Sequence, residues 1–262
     1  MNEDQGISID DIIEFIKNEQ EIYGPFSASI TKELNESLSE VIRDPQPGEE
    51  SQKKDSSSEE NIPNPEMSLN DQLQACKSIE ELRSFCEKAE ELKTDLEGTN
   101  LVFGVGNPRA DLMLIGEAPG EQEDIQGEPF VGAAGQLLNK ILAAINFTRD
   151  DIYIANILKH RPPGNRNPDP DERERSLPYL LRQIELIQPK IILCLGKVSG
   201  TTLLNRDEAL KNLRGKFYPF HNTELTVTYH PAALLRNAKW KRPVWEDVQT
   251  VRKRYDELGC KP

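Results

Sequence analysis

This chain has little with which to cross a membrane, cross-link itself or attract a polyanion. None of its 262 residues fall in an apolar run near the roughly 20 needed to span a bilayer. The N-terminus, Met1-Asn2-Glu3-Asp4, lacks the basic-then-apolar layout of a secretory signal, so a cytoplasmic protein is expected. The four cysteines, Cys76, Cys86, Cys194 and Cys260, are scattered and form no C-x-x-C pair. In a reducing compartment that spacing reads as four unpaired thiols. Positive charge is also scarce: 32 Lys and Arg stand against 45 Asp and Glu, a formal net charge of -13. Taken over the whole chain, that balance argues against nucleic acid as a partner.

The deficit is local. Residues 1–100 carry 9 basic against 25 acidic side chains, a net of -16, which leaves 23 against 20, or +3, in residues 101–262. The C-terminal part is therefore mildly basic and compatible with modest binding to DNA. Residues 8–22 show helical apolar spacing, so a short N-terminal helix is expected within residues 1–26, with Ser8 or Asp10 as its cap. Residues 27–67 are polar and acidic. They bury too little apolar surface to offset ordering entropy, and read as a disordered linker. What the acidic N-terminal segment binds is left open.

From residue 68 to 262 a single domain is expected. Residues 68–92 look helical, with Leu73, Ile79, Leu82 and Phe85 apolar. Strands are expected at 112–116, 151–156, 190–195 and 225–230. Helices are expected near 134–146, 171–187 and 197–205, with a last one over 245–258. Apolar strands alternating with helices imply a parallel sheet covered on both faces. The fold class is thus α/β: a three-layer α/β/α sandwich around a central parallel sheet of about four strands. No internal repeat is visible.

The densest chemistry lies just after the first of these strands. Gly116-Glu117-Ala118-Pro119-Gly120-Glu121-Gln122-Glu123-Asp124 is followed by Pro129-Phe130-Val131-Gly132-Ala133-Ala134-Gly135. Open α/β sheets place ligands at the carboxyl ends of their strands, where this acidic, glycine-rich loop falls. Further blocks follow in order: Tyr153-Ile154-Ala155-Asn156, Arg161-Pro162-Pro163-Gly164-Asn165-Arg166-Asn167-Pro168, Leu213-Arg214-Gly215-Lys216 and His230-Pro231-Ala232-Ala233-Leu234-Leu235-Arg236. Together with Val102-Phe103-Gly104-Val105-Gly106-Asn107-Pro108, these blocks closely resemble the motifs of the family-four uracil-DNA glycosylases, from about Glu81 to Leu258. Gly104-Val105-Gly106 could also suggest a nucleotide-binding Rossmann-like protein. The spacing is not G-x-G-x-x-G, however, and no acidic ribose ligand stands at the expected distance.

The resemblance implies hydrolysis of the N-glycosidic bond of uracil in DNA, by base flipping and water attack, leaving an abasic site. Phe130 resembles the family's stacking aromatic. Asn156 resembles the asparagine that reads uracil: an amide pairs a donor with an acceptor and so meets uracil O4 and N3–H, while cytosine presents the reverse. His230 resembles the histidine that stabilises the departing uracil anion. Glu123 with Asn165 is the expected water-placing pair. Glu117 is a further catalytic candidate or a holder of loop amides, and Ala118 stands where some other uracil glycosylase families carry an aspartate. Leu234, Leu235 and Arg236 resemble the loop that fills the gap left by a flipped base. Arg166, Arg214, Lys216, Lys197 and Ser199 are candidate phosphate contacts. With no lysine nucleophile in a motif position, a monofunctional enzyme is expected, acting on uracil-containing DNA as a monomer.

The chain departs from the family at the cluster ligands, and its acidic N-terminal extension also lies outside the family's common core. The family carries a four-iron four-sulfur cluster on four cysteines, and the matching positions here are Ala89, Leu92, His160 and Ser176. Cys86 lies a helical turn before the first of them. Since a cluster needs several thiolates close together, no cofactor is expected. A noncatalytic nucleic-acid-binding or interaction protein on the same fold is the alternative reading.

Overall fold

A computed structural model describes residues 68–261. The N-terminal helix and acidic linker expected within residues 1–67 lie outside the described residues. The described chain runs α1 (Leu69–Ala75), α2 (Ile79–Cys86), β1 (Val105–Gly106), β2 (Leu112–Gly116), α3 (Glu121–Gln126), α4 (Ala133–Ala144), β3 (Tyr153–Asn156), α5 (Pro170–Ile187), β4 (Ile191–Leu195), α6 (Lys197–Leu204), α7 (Leu210–Leu213), β5 (Phe217–Phe220), β6 (Thr223–Thr228), α8 (Pro231–Arg236) and α9 (Lys241–Glu257). Among the described residues no helix is long and apolar enough to cross a membrane.

The sheet order is β1-β3-β2-β4-β6-β5. The four expected strands form its parallel centre. Two antiparallel edge strands, β1 against β3 and β5 against β6, raise the count to six. They were missed for physical reasons. Two residues cannot carry an alternation, and Phe217-Tyr218-Pro219-Phe220 contains a proline that only an edge strand accommodates.

Strand alternation divides the core. Leu112, Leu114, Ile191 and Leu193 face α4 and α9, meeting Leu138, Ile141, Val248 and Tyr255. Met113, Ile115, Ile192 and Cys194 face α5 and α6, meeting Leu177, Leu180, Ile184 and Leu203. Both faces are thus covered, as continuous apolar strands require. A third cluster lies on the outer side of α5, where Leu73, Leu82, Cys86 and Leu92 pack on Phe103 and Tyr179.

Two helix boundaries differ from expectation. The helical stretch expected over 68–92 is two helices and a 3-10 turn. The break occurs because Ser78 starts a new helix: its side chain accepts from the Glu81 amide while the Glu81 carboxylate accepts from the Lys77 amide. The final helix begins at Lys241 rather than Trp245, because Pro243 falls in its first turn, where its missing N–H costs no hydrogen bond.

Candidate active site

The parallel strands β2, β3 and β6 all point their carboxyl ends at one cleft. β2 ends at Gly116 and feeds the Glu117–Gly120 loop; β3 ends at Asn156; β6 leads into His230, the cap of α8. The cleft has a volume of about 350 Å³ and is lined by Glu117, Glu123, Phe130, Asn156, Asn165 and His230, among others. Cavities of this size hold small ligands, so it is ample for one nucleobase.

Asn156 is buried, and its Oδ1 has no hydrogen-bond partner in the protein. A buried acceptor left open costs stability unless something else completes it. It lies close under β2: a Cβ on Gly116 would stand 2.3 Å from Asn156 Oδ1 and 2.6 Å from Phe130 Cζ. Glycine at 116 is therefore what lets the amide and the ring come together.

Phe130 is buried against the α4 side of the core while also lining the cleft. Its ring centroid is 5.4 Å from that of His230, at 31°. His230 Nδ1 accepts from the Ala232 amide at 3.1 Å. The neutral ring must then carry its proton on Nε2. Burial, aided by the nearby Arg236 cation, pushes the His230 pKa down to about 4. At neutral pH the ring is an uncharged donor.

The carboxylates are engaged differently. Glu123 Oε1 accepts from the Val131 and Gly132 amides, both at 2.9 Å. Glu117 is buried and lies in the field of the buried Arg173 guanidinium. Asn165 is exposed, in a left-handed conformation with φ 55°, and its Oδ1 accepts from Arg161 Nε at 2.7 Å.

The residues expected to meet DNA divide. Leu234 is fully buried in the main core, so it does not reach DNA; the apolar surface of that loop comes from Leu235, which is only partly buried. The helical turn of α8 decides this by rotating consecutive leucines to different faces. Ser199 is also fully buried, with its hydroxyl donating to the Gly196 carbonyl, which removes it as a phosphate contact. Arg214 binds Asp247 through two bonds of 2.9 Å, and Thr228 donates to the same carboxylate at 2.6 Å. This network ties the end of β6 to α9, so Arg214 has a structural task. Arg166 is likewise held by Glu172, through two bonds of 2.8 Å. Lys197 lies 3.7 Å from Asp207, and Lys216 is exposed beside the Asn212 carbonyl. Arg236 lines the cleft.

Sequence reading overlooked Arg149, Asp247 and Lys159. Each is a charged residue in or next to an element where charge ordinarily marks solvent, and their roles depend on partners distant in sequence. Lys159 is fully buried, and its Nζ donates to the carbonyls of Phe103 and Asn156 and to Gln183 Oε1.

Ala89, Leu92, His160 and Ser176, the positions expected to match cluster ligands, are all buried. Ala89 and Leu92 pack in the third apolar cluster. His160 Nδ1 lies 3.0 Å from Thr99 Oγ1, and Ser176 donates to the Ile157 carbonyl at 2.7 Å. Among the described residues no group of three or more His, Cys, Asp or Glu could hold a metal ion.

This fold, with a base-sized cleft at its strand ends, defines a class. Residues 103–249 match the model of the uracil DNA glycosylase superfamily, and the chain belongs to that superfamily. A type-4 uracil-DNA glycosylase of Archaeoglobus fulgidus is 41% identical over 174 residues, covering 63% of this chain and 86% of the relative. One from Saccharolobus solfataricus is 44% identical over 62% of this chain and 78% of its own length. One from Thermotoga maritima is 38% identical over 60% and 84%.

Proposed function

We infer that this chain is a monofunctional DNA repair glycosylase that hydrolyses the N-glycosidic bond of uracil in DNA. The observation that carries the reading is the buried, unpartnered Asn156 Oδ1 beside the Phe130 ring and the His230 donor. A base must leave the helix stack to enter such a cleft. There uracil N3–H donates to Asn156 Oδ1 and O4 accepts from Nδ2. Cytosine would set acceptor against acceptor and leave buried groups unpaired. Phe130 supplies the stacking face.

Cleavage breaks the C1′–N1 bond with its electron pair going to uracil, where negative charge spreads onto O2. The Nε2–H of neutral His230 stabilises that charge as it forms. The sugar becomes oxocarbenium-like, and water bonds to C1′; the proton it loses passes through solvent to the uracil anion, leaving neutral uracil and the abasic sugar. Glu117 fits a role in stabilising the cationic sugar through its field. Asn165 fits a role in holding the water through its amide nitrogen, since its oxygen is held by Arg161. Glu123, with one oxygen holding two loop amides, fits loop positioning better than activation of water.

The residues present do not suit an iron–sulfur cluster. An alanine and a leucine have no donor atom, and a histidine and a serine hydroxyl are a poor set for iron bound as sulfide. We propose that the enzyme works without one, as a cytoplasmic monomer. Purified protein should lack brown colour and visible absorbance; stoichiometric iron would overturn this.

The deciding experiment is uracil release from single- and double-stranded oligonucleotides holding one uracil, with thymine and cytosine controls and a His230→Ala variant. Uracil-specific release that the variant loses is expected. DNA binding without release would favour a noncatalytic protein.

A further inference from the structure

The aromatic residue that faces the base has an uncommon backbone. Phe130 has φ 56°, in the left-handed region that bulky side chains rarely adopt. Such a conformation persists only where its surroundings over-determine it. Three neighbours do so here. Arg149, in the turn before β3, donates Nη2 to the Pro129 carbonyl at 2.7 Å and Nη1 to the Phe130 carbonyl at 3.1 Å. The same Nη1 lies 3.3 Å from Asn139 Oδ1 on α4. On the other side, Glu123 Oε1 takes the amides of Val131 and Gly132. Beneath, the Phe130 carbonyl rests on Gly135, where a Cβ would lie only 1.7 Å from the oxygen.

The charges match the dipoles they hold. A guanidinium takes the two carbonyls before and at Phe130, and a carboxylate takes the two amides that follow. Charge-assisted bonds of this kind are roughly twice as strong as neutral ones. Arg149 is half-buried, and its contacts lie on the α4 side of the loop.

We propose that Arg149 is a positioning residue which, with Glu123, clamps the Pro129–Gly132 backbone and so pre-orients the Phe130 ring for the flipped base. The proposal rests on the reading of Phe130 as the stacking residue. Neither clamp residue needs to touch the base. Their effect is to remove the ordering that the loop would otherwise undergo each time a base enters, which is how a supporting shell makes a site precise.

The test compares Arg149→Met, Arg149→Lys and Phe130→Leu with wild type. The readouts are kcat/KM on a single-uracil oligonucleotide, affinity for the same oligonucleotide without uracil, and melting temperature. Loss of a well-placed stacking surface corresponds to about a tenfold or larger effect. Arg149→Met should lose about tenfold in kcat/KM with lesion-free binding unchanged. Arg149→Lys, which keeps the cation but not the fork, should recover part of the loss. Wild-type kcat/KM in both Arg149 variants beside an impaired Phe130→Leu would overturn the clamp and leave the stacking role standing. Wild-type values in all three would overturn the stacking role and the clamp with it. An equal loss of lesion-free binding in Arg149→Met would make Arg149 a phosphate ligand instead. If Arg149→Met does not fold, Arg149→Lys decides by the same criteria.

Discussion

The cleft at the strand ends and the lobe outside α5 solve opposite problems. The cleft holds polar groups in place and leaves Asn156 Oδ1 open. In the lobe, Ala89 and Leu92 pack in an apolar cluster, while His160 and Ser176 are satisfied internally, by Thr99 and by the Ile157 carbonyl. Phe85 stacks on Tyr179 at 5.9 Å there, Tyr179 bonds Glu91, and Leu82 and Leu92 are buried in the same cluster. Structural support can be replaced by any packing of the right volume. A reacting group cannot, because its donor and acceptor pattern is the function. The two regions touch at Lys159, whose ammonium spans the Phe103 and Asn156 carbonyls.

This contrast predicts that changes in the cleft cost activity with little cost in stability, and that changes in the lobe do the reverse. The largest effect should come from Asn156→Asp. It replaces the donor needed by uracil O4 with an acceptor, and should lower uracil excision by about 1,000-fold or more, with any residual activity shifted toward cytosine. Unchanged activity and selectivity in an oligonucleotide assay would break the comparison. His230→Ala should follow, with kcat lower by about 100- to 1,000-fold, as for loss of one preorganised donor, and only a small change in melting temperature.

His230 also sets a pH signature. Its folded pKa, about 4, lies below the unfolded value of about 6.5. The unfolded chain therefore binds more protons between those values. The stability contributed by keeping this ring neutral is fully present above about pH 6.5 and is lost as pH falls toward 4. Melting curves of wild type and His230→Gln should converge or cross over that window; parallel curves would mean that the histidine is not buried neutral.

In the lobe, Leu92→Ala should cost about 2–5 kcal/mol by opening a cavity, measured by denaturant unfolding, while kcat changes less than about twofold. Equal losses of kcat and stability would merge the two regions into one. The smallest effect concerns the segment before Ser68, which carries 5 basic and 17 acidic side chains. A chain beginning at Ser68 should bind lesion-free DNA more tightly and with a steeper salt dependence. Identical salt curves would show that the acidic segment does not screen the domain.

Much of the architecture was legible because it follows from periodicity. Leu112-Met113-Leu114-Ile115 and Ile191-Ile192-Leu193-Cys194 are apolar at every position, which only strands buried on both faces require. The boundaries were less legible where a cap or proline intervened, at Ser78 and Pro243, and the edge strands were too short or too irregular to show. In the cleft, Phe130, Asn156 and His230 were found from their motifs and do converge on one cavity. Leu234 was misplaced because a loop motif does not reveal which of two adjacent leucines a helical turn directs inward.

The four central strands, the longer helices, the superfamily and the residue types at the strand ends could be read from the chain alone, since these depend on local pattern and on contiguous motifs. Folding was needed to show that Arg149 holds the backbone of Phe130, that Arg214 is committed to Asp247, and that Glu123 holds two amides with one oxygen. Those facts depend on which distant groups a side chain meets. A charged residue looks the same in sequence whether it faces water, a phosphate or a strained peptide.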